Sequence, residues 1–98
     1  MKDDSDNRLL AVGHLVRSKA GRDKGHYYLV LGPADDDRSL LVVDGRKRGI
    51  RFPKKKNMLH LQMTNKVSQA FIQKIATAKS SLRDEEIRSY LAEFDIDQ

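Results

Sequence analysis

The spacing of apolar residues changes near Met63, and this change limits the possible folds more than any other feature of the chain. Before Met63, short aliphatic or β-branched runs alternate with Gly, Asp and Pro, the pattern of a small all-β unit. We predict five strands, at Gly13–Ser18, His26–Leu31, Leu40–Asp44, Gly49–Phe52 and Met58–Gln62. Strands joined by such brief turns cannot build a large sandwich. They favour a small, strongly bent, SH3-like five-stranded barrel over residues 9–63.

Residues 64–98 follow a helical period instead. Val67, Phe71 and Ile75 recur at helical spacing, which predicts an amphipathic helix from Asn65 to about Lys79. A second helix is predicted to begin near Ser81, which has capping-box spacing to an acid three residues on. The expected class is therefore α+β, mainly β, with a C-terminal helical hairpin. Its apolar faces are expected to pack in the core, whereas exposed stripes would instead favour a protein partner or self-association.

Composition excludes several classes of protein. A chain of 98 residues fits one small domain rather than a two-lobed enzyme, and the absence of cysteine excludes disulfides and thiolate metal sites. Residues 1–8 are acidic and polar, so they do not show the charged segment followed by an apolar segment that is typical of a secretory signal. We expect them to be a short disordered lead-in. The longest apolar runs, Tyr27–Leu31 and Leu40–Val43, fall far short of the ~20 residues that cross a bilayer. We therefore expect a cytoplasmic protein with no membrane partner.

Positive charge is concentrated in the middle of the chain. The formal net charge is +5, but residues 13–60 hold twelve Lys/Arg against five Asp/Glu, while the segments on either side are each slightly acidic. Seven of these cations lie within Asp44–Asn57, where they repel one another unless solvent, acids or a polyanion compensate. Pro53 disfavours a helix, so the following three lysines are expected to be extended and to point alternately to opposite sides. This favours contact with a phosphate backbone.

The turn "SKAGRDKG" supplies further cations that could extend this surface. If the fold places this turn beside the stretch from Arg46 to Lys56, one continuous positive surface results. Rings near these segments could stack on unpaired bases; they are His14, His26, Tyr27, Tyr28 and Phe52. Because Tyr27 and Tyr28 are adjacent in a predicted strand, only one of them can face outward. Charge alone equally allows a simple solvated face or a localisation signal.

The segments "VGHLVRSKAGRDKGHYYLVLG" and "LLVVDGRKRGIRFPKKKNMLHLQ" resemble KOW-motif RNA-binding proteins. The likeness covers roughly Val12 to Gln62 and is to the branch related to archaeal and eukaryotic large-subunit ribosomal proteins with a translation-protein SH3-like barrel. Its specific parts are the "AGRDKG" turn, the "VDG" strand end and the "PKKKNMLHL" exit. Gly21 and Gly25 are expected to form the "AGRDKG" turn because glycine tolerates positive φ. The resemblance implies that Gly25 is the glycine that permits the tight turn of the motif, and that ribosomal RNA is contacted by Arg22, Lys24, Arg46, Lys47, Arg48, Lys54, Lys55, Lys56 and His60.

The chain departs from that family in its C-terminal part, which is mildly acidic and helical, whereas the ribosomal proteins usually bear long basic extensions. It is more similar to a stand-alone bacterial KOW protein that visits structured RNA or ribosomal particles. We add Lys19 and Arg51 to the expected RNA contacts because Lys19 belongs to the "SKAGRDKG" turn and Arg51 to the basic stretch Asp44–Asn57. The expected partners are RNA, most of all ribosomal RNA, and ribosomal proteins.

No catalytic motif is evident in the sequence. The three histidines lack paired metal-ligand spacing, and the acids from Asp35 onward lack the glycine and final acid of a calcium loop. Neither Gly21–Gly25 nor Gly45–Gly49 continues into the Lys-Ser/Thr of a nucleotide-binding loop. We therefore expect a protein that is not an enzyme and uses no metal or cofactor. The alternative is an interaction module that binds a protein through its helices in transcription or translation regulation.

Overall fold

The computed structural model describes residues 4–96 and contains one five-stranded antiparallel sheet and two α-helices. The strands are β1 (His14–Ser18), β2 (Tyr27–Pro33), β3 (Ser39–Val43), β4 (Lys54–Asn57) and β5 (Leu61–Val67), and the helices are α1 (Gln69–Ala78) and α2 (Asp84–Ala92). Short 3-10 helices span Asp4–Ala11, Met58–His60 and Lys79–Ser81. The predicted α+β class is confirmed.

The sheet has the order β4-β3-β2-β1-β5, and the short connection between its two edge strands requires it to curl. In a flat sheet, four inter-strand spacings would hold the edge strands β4 and β5 about 19 Å apart. The chain passes from Asn57 to Leu61 through one 3-10 turn, and four fully extended residues reach only about 14 Å. The edges must therefore approach one another. The ladders within residues 4–96 do not include a β4–β5 pair, so the sheet is open at this seam.

Two apolar cores lie on opposite faces of the sheet because neighbouring residues of a strand point to opposite sides. On one face, strand residues such as Leu29 pack with Phe71, Ile87 and Leu91 of the two helices. The other face buries a second cluster that contains Val30 and Ala11. The expectation that the apolar faces of the helices belong to the core is confirmed.

The predicted strand at Gly49–Phe52 is wrong, and Lys54–Asn57 forms the fourth strand instead. The Phe52 amide donates to the Gly49 carbonyl at 3.1 Å, which closes a turn. The Ile50 amide donates to the Asp84 carboxylate at 2.8 Å, so α2 holds this segment away from the sheet. Three consecutive lysines can form β4 because it is an edge strand, paired only with β3 in the described sheet.

The ends of the later elements also differ from the prediction. The predicted strand Met58–Gln62 is a 3-10 turn followed by β5, which continues to Val67, and α1 begins only at Gln69. The Ser68 side chain caps α1 by accepting a hydrogen bond from the Phe71 amide at 3.2 Å. The predicted cap of α2 at Ser81 is wrong, since Ser81 lies in a 3-10 turn and Arg83 is the N-cap residue.

The start of the chain was predicted to be a disordered lead-in. Residues 1–3 of that segment lie outside the described residues, as do residues 97–98 of the predicted C-terminal appendage. The segment Asp4–Ala11 forms a 3-10 helix. Arg8 at its end donates to the backbone carbonyl of Ser39 at 3.0 Å, and this contact ties the segment to the start of β3.

Candidate nucleic-acid interface

Two loops meet at one end of the sheet and form a cleft of about 650 Å³. One loop joins β1 to β2 and the other joins β3 to β4, and in this antiparallel order both fall at the same end of the sheet. The cleft is lined by Arg22, Asp23, Lys24, Gly25, His26, Tyr28, Asp44, Arg46, Lys47, Arg48 and Lys54. Six cationic side chains and two carboxylates give this lining a net of +4, with histidine counted as neutral. The predicted juxtaposition of the two basic segments is thus present.

The β1–β2 loop is organised around the carboxylate of Asp23. Tyr28 and Ser18 donate their hydroxyls to it at 2.6 and 2.8 Å, and the ammonium groups of Lys56 and Lys54 lie at 3.1 and 3.2 Å. Burial alone would raise the pKa of Asp23, but these donors outweigh burial and hold it well below its ordinary value. Burial and the hydrogen bond to Asp23 raise the pKa of Tyr28. Asp23 is therefore a structural anion whose charge is already matched inside the fold.

Glycines give this loop its tight path. Gly21 and Gly25 have φ values of +86° and +92°, a region that other residues rarely adopt. The Gly25 amide donates to the Ser18 carbonyl at 2.8 Å, which closes the hairpin at the end of β1.

The β3–β4 loop is organised by a second carboxylate, that of buried Asp44. Its Oδ1 accepts hydrogen bonds from the backbone amides of Arg46 and Arg48, each at 2.9 Å. Its Oδ2 lies 2.7 Å from His26 Nε2, so the same residue joins the two loops. Burial would raise the pKa of Asp44, but these hydrogen bonds outweigh it and lower the pKa. This backbone geometry turns the arginine side chains outward.

Helix α2 fixes the basic loop from below. Arg88 donates to the Gly45 carbonyl at 2.6 Å, and Asp84 accepts from the Ile50 amide. Gly45 has a φ of +77°, and a Cβ there would lie 2.5 Å from the Asp84 carbonyl oxygen. The acidic C-terminal segment thus shapes the basic loop.

The predicted RNA contacts divide into three groups in the structure. The first group is exposed, and among the side chains described from residue 8 to residue 96 no ion pair joins its members to a carboxylate; it consists of Arg22, Lys24, Arg46, Lys47 and Arg48. We call these five residues the cleft cations. They are the side chains available to an external anion.

The second group consists of the three lysines of β4, which form ion pairs with acids of the protein. Lys54 and Lys56 point to the cleft side and pair with Asp23, and the Lys56 side chain is only 9% exposed. Lys55 points the other way and lies 2.8 Å from Asp35 and 3.1 Å from Asp36. The predicted alternation is confirmed.

The remaining predicted contacts lie outside the lining of the cleft. Lys19 and His60 are exposed neighbours, since the Lys19 amide donates to the His60 carbonyl at 2.8 Å. Arg51 is exposed and lines a second depression, of about 920 Å³, together with Lys79 and Arg83.

Sequence reasoning missed the residues that position the cleft: Asp23, Asp44, Asp84 and Arg88. Asp44 carried a readable signal, since an Asp directly after a strand and before Gly is typical of a turn in which the carboxylate accepts backbone amides. Asp84 and Arg88 act on a loop that precedes them by more than thirty residues, and no local pattern indicates such a contact.

The described part of the chain contains no group of three or more His, Cys, Asp or Glu residues placed to hold a metal ion. None of the helices described here combines the length and the apolar character that crossing a membrane requires.

Comparisons with known proteins add no family assignment. No protein-family model matches the chain, and no curated protein matches it either.

Proposed function

We propose that this chain is a non-catalytic RNA-binding protein that associates with ribosomal RNA or ribosomal particles through the cleft between its two basic loops. The observation that carries the proposal is the set of cleft cations, which come from two loops yet line one depression. A phosphate backbone is the common polyanion that such a spread of positive charge fits.

The pairing of the acids and the exposure of the cleft cations both favour an external anion of extended shape. Asp23 and Asp44 already accept three or more hydrogen bonds each within the protein, and neither forms an ion pair with a cleft cation, so the cleft keeps its net positive charge. Because the cleft cations are exposed rather than enclosed, they suit a chain of phosphates better than one small anion. Backbone contacts of this kind position a protein on RNA without reading its bases.

The finer assignment is an SH3-like barrel of the KOW type. It is supported by the curled five-stranded sheet, the 3-10 turn between β4 and β5, and the positive φ of Gly25 in the β1–β2 turn. Together with the sequence resemblance, these features favour ribosomal RNA as the partner.

Binding to a ribosomal RNA fragment should depend steeply on salt. If the five cleft cations each neutralise one phosphate, log K should fall against log salt with a slope of about −3.5 on single strands and about −4.5 on duplex. Lys47→Ala should reduce the magnitude of the slope by about 0.7 to 0.9 and weaken binding to all sequences alike. Fluorescence anisotropy from low to physiological salt measures both quantities.

Lys66→Ala is the matched control, because Lys66 is exposed and lies on β5 near the start of β1, at the end of the sheet opposite to the cleft. Its slope should equal that of the wild type. Equal effects of both variants, or a slope near zero for the wild type, would contradict the proposed site. In lysate, sedimentation with a ribosomal particle at low salt and release at high salt would support the ribosomal assignment.

A further inference from the structure

Phe52 is the most exposed phenylalanine or tyrosine in the part of the chain that the structure describes, with 76% of its surface accessible. Single exposed apolar residues are common on proteins, so exposure alone implies nothing. The setting of Phe52 is what distinguishes it. Arg51 precedes it and lines the second depression, whereas Lys54 follows Pro53 and lines the cleft.

The backbone around Phe52 is held on both sides. On one side its own amide is bonded to Gly49, while Ile50 packs against the core and donates its amide to Asp84. On the other side Pro53 restricts the chain, and Lys54 begins β4 with an ion pair to Asp23. Because the backbone is already ordered, only the side-chain torsions of Phe52 have to be fixed when the ring binds, and this lowers the entropic cost of the contact.

The four other rings predicted from the sequence as possible stacking partners are engaged within the protein. Tyr28 is 3% exposed and donates to Asp23, and Tyr27 packs against the core. His26 is bonded to Asp44 and lies edge-on to Tyr28 with ring centres 4.8 Å apart. His14 Nδ1 lies 3.1 Å from the carbonyl oxygen of Ala11. Phe52 is therefore the ring best placed for an external planar group.

If the cleft cations bind the phosphates of a nucleic acid, the planar group that lies next to them is a nucleobase. Bases within a duplex already stack on each other, and separating them costs a few kcal/mol per step. An unpaired base offers its face freely, and stacking on an aromatic side chain is sequence-tolerant because every base has such a face. We infer that the RNA bound at this surface is single-stranded or looped, and that Phe52 stacks on one unpaired base while the cleft cations hold the phosphates. This inference rests on the proposed function and specifies its substrate class.

The test compares one RNA in two forms. A single-stranded 12-mer without self-complementarity and the duplex that it forms with its complement are titrated with the wild type, Phe52→Ala, Phe52→Trp and Leu59→Ala. Leu59→Ala is the matched control, since Leu59 is equally exposed, at 79%, but lies outside the basic loop. Phe52→Ala should weaken binding to the single strand by between about 5-fold and about 140-fold, the value of one stacked base, and leave duplex binding unchanged. Its salt slope should match the wild type because no charge is removed.

Phe52→Trp provides a direct readout, because the chain contains no tryptophan and the variant has a single indole. It should bind as tightly as the wild type, and its fluorescence should be quenched by the single strand but not by the duplex.

The outcomes separate this inference from the proposed function. Equal loss on both forms, no loss, or the same loss from Leu59→Ala would overturn the stacking role of Phe52 while leaving charge-driven RNA binding intact. Failure of the wild type to bind either form would overturn the proposed function and the inference with it.

Discussion

Substitution of two adjacent lysines in β4 should have very different effects on the stability of the fold. Lys55 and Lys56 are neighbours of the same type on the same strand, but Lys55 is exposed and Lys56 is buried against Asp23. We expect Lys56→Ala to destabilise the protein strongly and Lys55→Ala to leave its stability unchanged within error. A pure RNA-contact role for both residues predicts no such difference.

The magnitude follows from what Lys56 contacts. Its ammonium lies 3.1 Å from Asp23 Oδ1 and 3.2 Å from the Ala20 carbonyl oxygen. Removing one member of a buried ion pair costs roughly 3 to 5 kcal/mol. Asp23 keeps Tyr28, Ser18 and Lys54 as donors, so the low end applies and we expect a loss of about 3 kcal/mol. For a domain of this size that corresponds to a fall in Tm of at least about 12 °C.

Urea unfolding followed by far-UV circular dichroism measures the difference in stability. Lys56→Met retains most of the aliphatic stem and removes only the charge, so it separates packing from the ion pair. It should also be less stable than the wild type, though less affected than Lys56→Ala. Equal unfolding midpoints for Lys55→Ala and Lys56→Ala, or a Lys56→Met variant as stable as the wild type, would refute the structural role of the charge.

Two further predictions concern the supports of the two basic loops. Gly45→Ala should destabilise the fold by more than about 1 kcal/mol, because it forces a positive φ and a contact with the Asp84 carbonyl, whereas Gly32→Ala, with open space around its Cβ, should not; urea midpoints compare the two. The lowered pKa of Asp23 means that its ionised form stabilises the fold above the unfolded value near 4, and that this contribution is lost as the pH falls from about 4 towards the folded pKa. Asp23→Asn should therefore be less stable at pH 7 and show a shallower loss of stability below pH 4, and parallel pH profiles would count against the network.

The strands that the sequence predicts well are those with local signals. β1, β2 and β3 agree with their predicted positions to within a few residues, because each is an apolar run bounded by turn residues. The segment Gly49–Phe52 fails because its backbone is determined by Asp84, a residue of a later helix. The extended path of the three lysines is predicted from Pro53, but their pairing with β3 is not, because lysine has low β-propensity; the edge position of β4 and its acid partners allow the pairing.

The candidate site was predictable in its location but not in its membership. The charge pattern indicated two basic loops, and antiparallel order alone places both at one end of the sheet. Which cations face outward depends on Asp23 and Asp44. The donors of each carboxylate come from different loops and strands, so they are determined by the tertiary fold and not by local sequence. A count of positive charges in the sequence therefore overstates the number of cations without an acid partner, because Lys54, Lys55 and Lys56 all form ion pairs within the protein.

The acidic helix α2 stabilises the β3–β4 loop against the mutual repulsion of its cations, and it does so without forming ion pairs with them. Asp84 accepts from the Ile50 amide, and Arg88 donates to the Gly45 carbonyl, so both residues act on the backbone of the loop rather than on its cationic side chains. Ile87 and Leu91 of the same helix are buried with the sheet residues, which ties this support to the core. Because α2 binds the backbone of the loop, the loop can keep its mutually repelling cationic side chains exposed. A partner that supplied phosphates would be attracted to these side chains without the entropic cost of ordering the loop.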